Sequence, residues 1–250
     1  MHRLVATAGL LLLAAATQGM AQEAVSTAPG GAYIGFYFEN PRTNPEDPVP
    51  GSLYLRLPAG NDAFSGEMFF TYVGCQSSNV GNISGRKSGA SLSGNWSGTV
   101  DGLAQRGTFT GSYGTANGYY TGTYTNAGGK QHRDLNPCTE YYIAPDGTWA
   151  LFPIERILPA GFEIRVTPNA VRWTRQEQAE GSLVTIFDAA MLAAPRGNAI
   201  VWQTLVDSDA HMTSLGDVTL VRGKEYVVSV AVLGAAENQL AFGSRRFVAQ

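Results

Sequence analysis

Cysteine and histidine are nearly absent from this chain, and their scarcity removes most of the chemistry that depends on them. Cys75, Cys138, His2, His132 and His211 are the full complement in 250 residues. No C-x-x-C, zincin or other ligand spacing joins them, so no metal site is assigned. Also missing are the G-x-S-x-G elbow, the Walker loop and the G-x-G-x-x-G turn, which set aside the common hydrolase, nucleotide and dinucleotide chemistries. No catalytic residue and no cofactor are therefore assigned. Charge is sparse as well. Charged residues make up 15 % of the chain, with 17 basic against 20 acidic, and no basic stripe exists to hold a nucleic acid. Apolar runs are short: the longest, from Leu4 to Ala16, falls below the roughly 20 residues a membrane span requires.

That run has the form of a secretory leader. His2 and Arg3 precede it, and Gly19-Met20-Ala21 supplies small residues before Gln22, so cleavage after residue 21 is expected. Removal takes away Arg3 and no acid, leaving 16 basic against 20 acidic residues and a formal charge of −4. The protein is expected to be secreted or periplasmic, with no transmembrane segment in the mature chain. In such a compartment an even pair of cysteines reads as a disulfide, so Cys75 and Cys138 are expected to be bonded to each other.

Glycine and aromatic residues are what the chain has in quantity, with 30 glycines, 11 tyrosines and 11 phenylalanines. From Leu92 to Thr125 they alternate with serine and threonine at period two, which predicts three strands with one buried and one wet face. Leu92, Gly94, Trp96, Gly98 and Val100 share the presumed inner face. Phe109, Gly111 and Tyr113 follow on the next strand, and Tyr120, Gly122 and Tyr124 on the third. Rings beside glycines fill the hollows the glycines leave. The opposite face, with Ser97, Thr99, Thr108, Thr110, Thr121, Thr123 and Thr125, is a hydroxyl array. Further strands are expected at Tyr33–Phe38, Ser52–Leu57, Phe64–Val73, Cys138–Ile143 and Thr148–Phe152, with Pro145-Asp146-Gly147 as a turn. The proline-rich segment 40–51 is a loop. Gln76–Ala90, polar and rich in Ser, Asn and Gly, reads as a loop with a weak strand near Ile83. Over some thirty residues these strands are similar to those of streptavidin-like and MORN-repeat proteins, a stretch too short to assign a family.

The composition changes near residue 155 from Gly, Tyr and Thr to Val, Ala and Leu. Two domains are expected: residues 22–158, a disulfide-closed antiparallel meander or small barrel, and residues 159–250, a sandwich, with Pro153–Gly161 as the hinge. In the second, strands are predicted at Phe162–Val166, Ala170–Trp173, Leu183–Phe187, Ile200–Leu205, Asp217–Leu220, Tyr226–Val232 and Gly243–Val248. Thr174–Ala179 and Ala189–Ala194 read as loops with at most one helical turn. Leu220-x-x-Gly223-x-x-Tyr226 before V-V-S-V-A-V, with Trp173 early in the domain and S-R-R-F-V at its end, resembles the fibronectin type III domain. The resemblance implies an immunoglobulin-like sandwich, a core role for Trp173, and a hydroxyl of Tyr226 that bonds to nearby backbone. The family's Arg-Gly-Asp motif is absent.

Other motifs carry bland readings. His132-Arg133-Asp134 matches a kinase catalytic loop by chance, and Asp207-Ser208-Asp209-Ala210-His211 reads as a solvated loop before it reads as a cation site. Asn82-Ile-Ser84 and Asn95-Trp-Ser97 are glycosylation sequons. The sequence thus points to an all-β, exported, non-catalytic protein acting in binding or assembly, its partner a protein, a glycan or a small apolar ligand. One alternative is a carrier whose hollow barrel is lined by Trp96, Phe109, Tyr113, Tyr120 and Tyr124. Another is a hydrolase using loop carboxylates such as Asp134 and Glu140, provided they stand about 5 to 9 Å apart.

Overall fold

The computed structural model describes residues 28–40, 50–72, 77–100, 103–127, 146–194, 197–235 and 239–250. The chain is all-β. Its first half is a meander of eight strands, β1 (Gly31–Glu39), β2 (Pro50–Leu57), β3 (Ala63–Tyr72), β4 (Ser77–Ser88), β5 (Ser91–Val100), β6 (Leu103–Gly114), β7 (Tyr119–Thr125) and β8 (Asp146–Pro153). Each pairs antiparallel with its sequence neighbour, except that β2 and β3 share no ladder, and β1 also pairs with β8. The first and last strands therefore close the sheet on itself, and β2 and β3 run alongside each other as an unladdered seam. This is the architecture of an up-and-down barrel with one open seam.

The inner wall follows the period-two pattern. Phe109 lies opposite Tyr124, Gly111 opposite Gly122 and Tyr113 opposite Tyr120 across the β6–β7 ladder. Trp149 covers Gly111 and Gly122, Phe109 covers Gly94, and Tyr124 covers Gly147. Where a strand approaches a ring this closely, any Cβ would be in the way.

The second half holds β9 (Ile157–Leu158), β10 (Ile164–Thr167), β11 (Ala170–Trp173), β12 (Ala179–Asp188), the helical turn α1 (Ala189–Ala193), β13 (Ile200–Asp207), β14 (Met212–Ser214), β15 (Glu225–Gly234) and β16 (Gln239–Val248). Two sheets result, ordered β10-β11-β14 and β13-β12-β15-β16-β9. Between them Ile164, Val171 and Trp173 meet Val184, Ile186, Val228, Val230 and Val232 in one core.

The larger sheet is buried on its other face too. Leu183, Phe187, Val227, Ala231 and Phe242 pack against Ile34, Phe36, Tyr54 and Phe152 from the outer wall of β1, β2 and β8. Phe152 stacks on Phe242 with ring centroids 3.8 Å apart. A polar row crosses this apolar contact: Gln203, Thr185, Ser229 and Ser244 are successive ladder partners on four strands. Ser52 of the barrel joins it, donating to Gln203 Oε1 at 2.8 Å and meeting the Thr185 hydroxyl. The segment 153–161, expected as a hinge, carries β9, which pairs with β16 at the sheet edge.

Three local expectations are corrected. Gln76–Ala90 is not mainly loop: β4 runs the length of Ser77–Ser88 between β3 and β5. Its inner positions include Gly81, Gly85 and Lys87, and the rings that cover Gly85 belong to Phe64 and Phe109. The strand's own sequence therefore shows little apolar alternation. Asp146 and Gly147 do not form a free turn, since they open β8 opposite Thr125 and Tyr124. Asp217–Leu220 is irregular, and the edge strand of the smaller sheet is Met212–Ser214, paired with Ala170–Arg172. The expected strand Cys138–Ile143 lies outside the described residues.

Candidate functional site

The five rings singled out as ligand-lining all point into the barrel, and packing connects them. Phe109 stands edge-on to Trp149 at 6.5 Å and tilted to Phe64 at 6.4 Å. Tyr124 meets Tyr37 at 6.1 Å, and Tyr113 meets Tyr120 at 5.1 Å. The Trp96 indole donates to the Thr125 carbonyl at 3.0 Å and the Trp149 indole to the Thr123 carbonyl at 3.1 Å. Each large ring thereby keeps its polar handle satisfied while its body excludes water.

One end of the barrel is sealed by a buried cation. Lys87, with no exposed surface, ends β4 on the inner wall, and its ammonium donates to the carbonyls of Pro58 at 3.1 Å, Ala59 at 3.2 Å and Ala28. Three donors meet three acceptors, which compensates much of the desolvation of the charge. Tyr33 and Tyr120 sit beside this plug with their rings 5.4 Å apart. The Tyr33 hydroxyl donates to Pro29 O at 2.7 Å. The Tyr120 hydroxyl is buried with no hydrogen-bond partner among the described residues. Burial first, and then the neighbouring Tyr113, push its pKa up to about 12. Burial raises Tyr33 further still.

Toward the other end the inner wall carries Gln105, opposite Gly98 and two residues before Gly107. It is 2 % exposed, and neither its amide nitrogen nor its amide oxygen has a hydrogen-bond partner among the described residues. Sequence reasoning passed over both Gln105 and Lys87. The available signal was positional: each continues the inner register set by Phe109 or Ile83, where an apolar or glycine residue is the rule.

The outer wall of β4 to β7 is different in kind. Lateral rows run Arg86, Ser93, Thr110, Thr123, Thr148 and Ser84, Asn95, Thr108 across successive strands. Apart from Thr148, which is half-buried, these side chains are exposed. Thr108 and Thr125 share a hydroxyl contact at 2.9 Å.

In the sandwich, Trp173 is buried between the sheets. The hydroxyl of Tyr226 accepts from the Val221 N–H at 3.0 Å, and its ring stacks on Phe247 at 5.8 Å. Leu220 packs at the margin of the same core, and Gly223 turns the chain at φ 79°, a conformation a side chain would oppose. Asp188 caps α1, accepting from Ala190 and Met191 N–H groups at 3.0 and 3.2 Å, and pairs with Lys224 at 2.6 Å. Burial raises its carboxyl, but the Lys224 hydrogen bond and the two backbone donors outweigh this and hold it below the usual carboxylate range.

Cys75, Cys138, His132, Asp134 and Glu140 lie outside the described residues, and so do the predicted disulfide and the carboxylate pair. The strands that lead toward the two cysteines, β3 and β7, end at the same rim of the barrel. Asp207 and Asp209 belong to the exposed end of β13 and the turn after it. Among the described residues no group of three His, Cys, Asp or Glu side chains is placed to hold a metal ion. No described helix is long and apolar enough to cross a membrane. A scan of protein-family models and a search of curated proteins find no match to this chain.

Proposed function

We propose that the protein is an exported, non-catalytic binding or assembly protein whose working surface is the outer wall of β4 to β7. The supporting observation is that the barrel's two outer walls have opposite chemistry. The wall of β1, β2 and β8 is apolar and is consumed against the sandwich. The wall of β4 to β7 presents hydroxyl and amide side chains in register, with Arg86 and Arg106 among them. Such rows offer paired donors and acceptors at the strand spacing of about 4.8 Å, a pattern suited to a glycan. Thr110→Glu with Thr123→Glu places two acids in one row. Binding to immobilised envelope glycans should fall at least about tenfold, worth roughly 1.4 kcal/mol, with the thermal midpoint unchanged. Unaltered binding would overturn this reading.

The sandwich reads as fibronectin type III-like in this proposal. Two things support it. The sheet orders β10-β11-β14 and β12-β15-β16 correspond to strands A-B-E and C-F-G of the immunoglobulin-like plan, with β13 beside C. The Tyr226 hydroxyl also bonds to backbone five residues upstream.

Gln105 favours a second reading, a carrier. A buried amide without partners costs about 1–3 kcal/mol, a cost that a ligand or a water molecule bonded to it would remove. Native mass spectrometry of the protein from its own host should then show a bound small molecule that Gln105→Leu abolishes. A protein that flies without a ligand, and is more stable as Gln105→Leu, excludes the carrier.

A further inference from the structure

The two edges of the larger sandwich sheet are treated differently. On one side β16 is covered by β9, through Leu158 and Ile157 opposite Phe242 and Gly243. On the other side β13 has β12 as its sole ladder partner, and its outer edge carries no strand. Natural edge strands are usually blunted by lysine, proline, a bulge or brevity. β13 has none of the first two within Ile200–Asp207, and it is eight residues long with its single charge at the last position. Its exposed apolar side chains are Val201, 40 % exposed, and Leu205, 45 % exposed. They lie on the same face as Gln203, two residues to either side of it.

That symmetry selects the occupant. In an antiparallel pair related by a two-fold axis perpendicular to the sheet, residues whose numbers sum to a constant lie opposite each other and keep to the same face. With the axis on Gln203, Val201 of one copy falls beside Leu205 of the other, and Leu205 beside Val201. Four exposed apolar side chains then cover each other in one row. Asp207 falls opposite Ala199, so the two acids do not meet. We propose that β13 pairs with β13 of a second copy of this chain, antiparallel and centred on Gln203, joining two five-stranded sheets into one. Met212, 42 % exposed on β14 four residues after β13 ends, adds apolar surface close to the contact.

Sedimentation equilibrium of the whole purified chain over micromolar concentrations tests this. A mass approaching twice that of one chain is expected. Leu205→Lys should weaken self-association at least about tenfold, roughly 1.4 kcal/mol, with the unfolding midpoint of the monomer unchanged. Val201→Lys should do the same, which guards against one variant failing for reasons of its own. Register is read by oxidation: Val201→Cys with Leu205→Cys in one chain should form intermolecular 201–205 disulfides, mapped by mass spectrometry, whereas Leu205→Cys alone should form no 205–205 bridge. A chain that stays monomeric at every concentration overturns the proposal, and so does a dimer indifferent to both lysines or one linked 205 to 205. Capture of a β-strand from another protein by a monomeric chain overturns it in favour of a foreign partner.

Discussion

Between Leu92 and Tyr124 the barrel hides alternate residues, whereas in β12 every residue from Gly181 to Asp188 is buried. The barrel sheet has one wet face along β4 to β7, so half of each strand stays polar and the other half must fill a curved interior. Glycines and rings do this jointly, a ring from one strand lying over a glycine of its neighbour. The central sheet of the sandwich is covered on both faces, by the smaller sheet and by the barrel, so its strands become almost unbroken Val, Ala, Leu and Ile. Burial of this second kind rests on area; the first kind rests on close fit. Area tolerates small changes, and close fit does not.

The largest test acts where the two kinds of core meet. Phe152 has no exposed surface and stacks between Phe242 of the sandwich and Tyr119 of the barrel wall, at 3.8 and 4.5 Å. Phe152→Ala should cost about 3–5 kcal/mol, and chemical denaturation followed by both tryptophan fluorescence and far-ultraviolet dichroism should show both regions losing stability together. A variant in which the sandwich transition does not move would break the picture of a shared core.

Gly122→Ala sharpens the contrast itself. A Cβ there would strike the Thr110 carbonyl and lie 2.5 Å from Trp149 Cζ2; neither the ladder nor a packed indole can step aside. A single methyl should cost about 3 kcal/mol, the upper part of the range for overpacking. In the sandwich, the removal of two methyls by Val184→Ala should cost no more than this. If Gly122→Ala is neutral by thermal denaturation, the barrel is looser than its contacts imply.

Alkaline titration separates the regions by pH. A folded pKa of about 12 for Tyr120 stands above the unfolded value of 10.0. The neutral form is thus favoured by folding, its contribution is complete below about pH 10, and it fades as pH rises through 12. At 1.36 kcal/mol per unit the loss reaches at most about 3 kcal/mol from Tyr120, with Tyr33 acting in the same direction. Tyrosinate absorbance should therefore rise together with unfolding of the barrel, and Tyr120→Phe should push that unfolding to higher pH. Ionisation that precedes any unfolding would place Tyr120 closer to solvent.

How much of this was legible depended on whether a residue's surroundings came from its own strand. The alternation in β5 to β7 was readable because each strand carries its own rings. β4 was not, since the rings over Gly85 come from Phe64 and Phe109, and Lys87 breaks the apolar register by meeting three carbonyls. The wall that joins the halves left a trace in Tyr33–Phe38, where Ile34, Phe36 and Phe38 are as apolar as the inner Tyr33 and Tyr37. A strand apolar on both faces needs two partners, and the second is the sandwich. Edge β14 was missed because a three-residue strand offers too short a run for any period to show.

The smallest effect belongs to Asp188, at the junction where β2 grips the sandwich. Arg56 donates to the Ala193 carbonyl, and Tyr54 donates to that of Gly197, so both ends of the α1 connection are held by the barrel. Asp188 fixes its start by two means, the cap on Ala190 and Met191 and the pair with Lys224, which is itself largely exposed. The cap is expected to matter more, since an exposed partner is screened by solvent. Asp188→Ala removes both and should cost about 1 kcal/mol. Asp188→Asn keeps an acceptor for the two N–H groups and should cost a fraction of that. The lowered carboxyl gives the matching pH signature: its contribution is present above the unfolded value near 4 and is lost as pH falls through the folded one. Urea midpoints at neutral pH and near pH 3 measure it, and the gap between wild type and Asp188→Ala should narrow at the lower pH. If Asn costs as much as Ala at neutral pH, the ion pair rather than the cap holds the junction.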